Sequence, residues 1–97
     1  MSRTLRRTAA KADAGAICAA AAALASRGRS AEAIAGYRLA LAITPECAKA
    51  HNDLAKLLRE QGRLEEAICH MKRAMALNPD NAEARSNLGT TLVALEH

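Results

Sequence analysis

The sequence predicts an all-α fold of about five helices, paired as antiparallel hairpins. Three observations carry this. Of 97 residues, 25 are alanine, the best helix former and a poor strand former. Tyr37 is the one aromatic residue, with no Phe and no Trp. Burial contributes about 25 cal/mol per Å² of apolar area, so so few large side chains argue against a thick α/β core or an aromatic-rich β-sandwich. Finally, the chain repeats itself with a spacing of 34 residues, the signature of a helical repeat array.

The repeat is seen by setting residues 14–47, 48–81 and 82–97 beneath one another. Small residues recur at Ala16/Ala50/Ala84 and at Ala21/Ala55/Gly89. Larger aliphatics recur at Leu24/Leu58/Leu92, and Ala20 aligns with Leu54 and Leu88. The first two units continue in register through Gly28/Gly62, Glu32/Glu66, Ala33/Ala67, Ile34/Ile68, Ala40/Ala74, Ile43/Leu77 and Pro45/Pro79.

Each element follows from this register. A first helix is expected from about Ala14 to Arg27 and again from Ala48 to Gln61. Gly28 and Gly62 come next, where a helix end wants a left-handed residue. A second helix is expected over about Ser30–Ile43 and Leu64–Leu77, stopped by Pro45 and Pro79, which lack the N–H and clash with the preceding turn. Asp13 and Asn81 are placed to cap the helices that follow them. Leu54/Leu58 and Ile68/Met71/Met75 recur at i, i+3 and i+4, one apolar stripe per helix. The small columns Ala21/Ala55/Gly89 and Ala33/Ala67 fall where two helices of a hairpin approach closely.

The 34-residue length, the small–large pattern of both helices and the closing proline resemble the tetratricopeptide repeat family. The resemblance covers residues 14–94: repeats at 14–47 and 48–81, then at 82–94 the first helix of a third repeat or a capping helix. It implies a right-handed superhelical array of helical hairpins. The family's aromatic early in the first helix is replaced by Ile17, His51 and Arg85, and the one before the glycine by Leu24, Leu58 and Leu92. In the second helix Tyr37 keeps the expected ring and Met71 replaces it. A thinner core, and hence modest stability, is expected.

The net charge is +4. Residues 1–13 hold +3 of it through Arg3, Arg6, Arg7 and Lys11 against Asp13, a basic leader expected to fray or to extend the first helix. No aromatic interleaves these cations, which argues against a stacking platform for nucleic acid. The leader followed by the apolar run Ala14–Ala25 imitates a secretory signal, so export is the alternative to a cytoplasmic location. An odd number of cysteines, Cys18, Cys47 and Cys69, favours a reducing compartment. No apolar run is long enough to span a membrane. The closing Leu95-Glu96-His97 reads as the start of a tag, and the chain as part of a longer repeat protein.

Catalytic and cofactor signatures are missing from the sequence. It has no G-x-S-x-G, Walker-type or dinucleotide-binding glycine pattern, and its cysteines and histidines lack zinc-ligand spacing. No enzymatic activity, metal or cofactor is expected. The resemblance instead implies a protein-interaction module whose first helices line a concave face that holds a peptide or partner protein. On that face the candidates are Lys49, Asn52, Lys56, Arg59 and Glu60, followed by Asn87 and Thr90. Asn52, Lys56 and Arg59 lie on neighbouring helical turns; amides can satisfy a peptide backbone, and Lys or Arg a carboxylate. Relatives that clamp a chaperone's C-terminal carboxylate carry Lys and Asn in the first unit, where this chain has Cys18 and Ala22. The alternatives are a scaffold that forms homo-oligomers through Leu88, Leu92 and Leu95, or the repeat region of a larger enzyme.

Overall fold

The computed structural model describes the backbone of residues 3–96 and the side chains of residues 13–96. Within these residues the chain is all-α, with five helices and no strand: α1 (Arg3–Ser26), α2 (Ser30–Ile43), α3 (Ala48–Glu60), α4 (Leu64–Leu77) and α5 (Ala82–Glu96). They divide into two compact units, Met1–Pro45 and Glu46–His97.

In the first unit α1 packs against α2. Ala21 and Ala33 are buried, together with Ile34, Tyr37 and Ala40. Gly36 lets the helices close: a Cβ built there would sit 3.0 Å from the Cβ of Ala21. The turn between them is a Schellman cap. Gly28 adopts φ +79°, its N–H donates to the Ala25 carbonyl at 3.0 Å, and the Arg29 N–H reaches back to Leu24 at 2.9 Å. These are the two bonds that satisfy otherwise orphaned carbonyls at a helix end.

The second unit repeats this arrangement and adds a helix. Gly62 has φ +77°, and Arg63 donates to the Leu58 carbonyl at 2.9 Å. Beyond each cap an arginine pairs with a glutamate three residues on: Arg29 with Glu32 and Arg63 with Glu66, both at 2.8 Å. α4 packs against both α3 and α5. Leu54, Leu58, Met71 and Thr91 are the largest fully buried side chains. Thr91 satisfies its hydroxyl within the core by donating to the Asn87 carbonyl at 2.7 Å.

One expectation is corrected. Asp13 is not an N-cap, because α1 starts at Arg3 and runs through it. No Pro or Gly interrupts residues 3–13, and the segment is rich in good helix formers. On α5 Leu88 is half-buried, while the large apolar residues Leu92, Val93 and Leu95 are exposed. Asn81 does cap, accepting the Ala84 N–H at 3.0 Å. The side chains of Arg3, Arg6, Arg7 and Lys11, and all of His97, lie outside the described residues. No helix among the described residues is long and apolar enough to cross a membrane.

Candidate functional site

The helical period splits α3 into two faces. Ala50, Leu54, Ala55 and Leu58 are buried, while Lys49, Asn52, Lys56 and Arg59 recur at spacings of three and four along another stripe. On α5 the same period aligns Glu83, Asn87 and Thr90. α5 starts where it does because Asn81 caps it and Arg85 donates to the Pro79 carbonyl at 3.0 Å. Arg85 occupies a column where a ring was expected, and it uses a charged donor to hold the loop ahead of α5.

These two stripes meet within the second unit. Lys56 Nζ lies 3.1 Å from Glu83 Oε1. Arg59 Nη1 donates to Asn87 Oδ1, and Asn87 Nδ2 donates to Asn52 Oδ1, both at 3.4 Å. Asn52 is 3% exposed, so its amide is a fixed part of the floor rather than a solvated group. Asn87 and Arg59 are half-buried, whereas Lys49 and Glu83 are exposed.

Glu83 reports the electrostatics of this face. Its carboxyl is held below the ordinary carboxylate range, first by the hydrogen bond from Lys56 and then by the charge of Lys56, with an Asn52 hydrogen bond and the Lys49 charge also favouring the anion. Three of the sequence-derived candidates thus act on one carboxylate, while Arg59 and Asn87 extend the network from it. Glu60 and Thr90 do not join that network: Glu60 is exposed, and the Thr90 hydroxyl donates to the Ser86 carbonyl at 3.0 Å.

Sequence reasoning did not single out Glu83 as an internal anion of this face. Its position one residue ahead of the small column Ala16/Ala50/Ala84 is the available signal. A second unforeseen feature is the approach of His51 on α3 to His70 on α4, with Nδ1 to Nδ1 at 3.0 Å. Among the described residues, no group of three or more His, Cys, Asp or Glu side chains is placed to hold a metal ion.

A family model described as TPR repeat matches residues 55–95. Residues 55–95 carry the tetratricopeptide repeat pattern. Solved structures agree, with 80 chains matching. One is the first tetratricopeptide domain of Spaghetti (RPAP3) bound to the HSP90 peptide SRMEEVD, with a TM-score of 0.81 and 27% sequence identity, covering 84% of this chain. This chain spans 64% of that structure's length. No curated protein matches it.

Proposed function

We propose that this tetratricopeptide-repeat chain is a protein-interaction module that binds an acidic peptide segment along the α3–α5 face of its second unit. The observation that carries the reading is the placement of Glu83: the face already holds one carboxylate, between Lys56, Asn52 and Lys49. An incoming peptide carboxylate meets the same donors. Lys56 and Lys49 supply charge, Arg59 offers a planar fork of donors, and the half-buried Asn87 amide, held by the buried Asn52 beneath it, can serve a peptide backbone.

The solved relative supports this chemistry, since the peptide bound to it contains two glutamates and ends in aspartate. In the first unit Cys18 and Ala22 carry no charge, so the reading rests on the second unit and on acidic character rather than on a chaperone tail. The test is fluorescence anisotropy with a labelled acidic heptapeptide, using SRMEEVD as probe. Saturable binding by the wild type and its loss in Lys56→Glu support the reading. Equal binding by the two proteins, or none by either, overturns it.

A self-associating scaffold is the second reading, favoured by the exposure of Leu92 (42%), Val93 (55%) and Leu95 (45%) along α5. Leu95 also borders a shallow depression lined by Gly62, Arg63, Leu64, Glu65 and Glu66. Light scattering discriminates the readings: concentration-dependent mass lost in Leu92→Asp supports self-association, and a strict monomer at millimolar concentration contradicts it.

A further inference from the structure

The second flank of α5 carries a stripe that the peptide face does not use. At helical spacing it runs Arg85, Leu88, Gly89, Leu92 and Glu96, with Glu83, Asn87 and Thr90 on the other flank. Leu88 is half-buried, while Gly89, Leu92 and the charged residues at both ends are exposed. Gly89 is the unexplained member. Gly36 on α2 is glycine because its Cβ would sit 3.0 Å from that of Ala21, whereas a Cβ built at Gly89 meets nothing within 4 Å. Glycine inside a helix is destabilising relative to alanine, and the same column holds Ala21 and Ala55. Among the described residues no close approach offsets that loss.

The equivalent columns on α3, Leu54, Ala55 and Leu58, are buried. On α5 the chain is not set up to fold a further helix back in the same way. Glu96 stands in the column of Gly28 and Gly62, and α5 runs on through it, where the earlier units break at a glycine of positive φ. The charges indicate what covers the stripe instead. Arg85 and Glu96 close its two ends with opposite signs, so two copies laid antiparallel bring each Arg85 to the partner's Glu96. A parallel pair would set like charges together. The two-fold axis that matches Arg85 with Glu96 also matches Gly89 with Leu92, so each leucine enters the gap left by a glycine. We propose that a second copy of this chain docks on α5 as an antiparallel helix pair, with Leu92 over the partner's Gly89 and Arg85 beside the partner's Glu96.

This pairing deepens the self-association reading and rests on it. Arg85 donates to the Pro79 carbonyl through Nη2 at 3.0 Å, and its guanidinium has five N–H donors, so others are left for a carboxylate. At 1.5 Å per residue the charged ends stand about 17 Å apart, which spans three helical turns of contact. An interface of two such helices belongs to the small, transient class, and its end pairs are weakened by salt. The flank carrying Glu83, Asn87 and Thr90 stays open in the pair. The dimer therefore presents two peptide faces, which raises the avidity for a ligand with two acidic segments.

The test is sedimentation equilibrium of the full chain from micromolar to millimolar concentration under reducing conditions. A monomer–dimer equilibrium is expected for the wild type. Gly89→Gln fills the gap with a good helix former, and Glu96→Arg sets like charges at both ends; each is expected to weaken the dimer about tenfold. Mixing Glu96→Arg with Arg85→Glu chains restores association, because opposite charges meet again at each end. At micromolar concentration Gly89→Gln keeps a urea midpoint no lower than the wild type and an unchanged affinity for SRMEEVD, which separates loss of the dimer from loss of the fold or of the peptide face. A strict monomer at millimolar concentration overturns self-association and this pairing with it. A dimer undiminished in Gly89→Gln or in Glu96→Arg overturns the α5 pairing alone.

Discussion

Lys56 on α3 and Glu83 on α5 form an ion pair at 3.1 Å across the second unit. Both side chains are substantially exposed, at 41% and 59%, and exposed pairs contribute about 0–1 kcal/mol to stability. The pair is therefore weak enough to exchange for an external carboxylate.

Removing the internal anion should free its donors. Glu83→Gln is expected to tighten binding of an acidic peptide by roughly two- to fivefold, the equivalent of an exposed ion pair. Anisotropy titrations of both proteins at one fixed salt concentration check this. Weaker binding by Glu83→Gln would mean that Glu83 serves the ligand rather than competing with it.

The same pair sets a pH dependence. Because the Glu83 pKa is lowered in the folded state, its contribution is fully present above the ordinary glutamate value of about 4.3. It is lost as pH falls through the lower folded value. Lys56→Met removes the largest cause, so carbon-detected NMR should show the Glu83 carboxyl titrating at higher pH in that variant.

Leu58 is fully buried in a core whose aromatic columns are filled by smaller or more polar side chains. Leu58→Ala should cost about 2–5 kcal/mol, measured by urea denaturation. Leu92 occupies the same column one repeat later but is 42% exposed. Leu92→Ala should cost far less, and equal losses would contradict the burial difference.

Gly28 and Gly62 meet nothing within 4 Å of a built Cβ, so alanine is disfavoured there by conformation alone. Gly28→Ala and Gly62→Ala should each lose roughly 1–2 kcal/mol, the cost of a left-handed L-residue. Chemical denaturation of both variants tests whether the two Schellman turns are equivalent.

Much of this architecture was legible in the sequence because its punctuation is local. The expected bounds of α2 and α4 coincide with the observed ones, since Gly28 and Gly62 precede these helices and Pro45 and Pro79 follow them. The start of α1 was not legible. Asp13 looks like a cap, yet helix formers continue on both sides of it, and a cap residue does not start a helix when nothing ends the preceding one. Lys56, Asn52, Arg59 and Asn87 could be assigned to one face from periodicity. Their pairing with Glu83 depends on how α3 and α5 are set side by side, which a one-dimensional repeat does not encode. The His51–His70 approach was hidden for the same reason, as it joins columns belonging to different helices of a hairpin.

The central claim is that the α3–α5 face receives an acidic peptide, and amide NMR mapping tests it most directly. On adding SRMEEVD to the isotopically labelled chain, the account predicts saturable shifts centred on Lys49, Asn52, Lys56, Arg59, Glu83 and Asn87, suppressed when the acidic side chains of the peptide are replaced by amides. Shifts confined to Leu92, Val93 and Leu95, or a response indifferent to the peptide's charge, would contradict it.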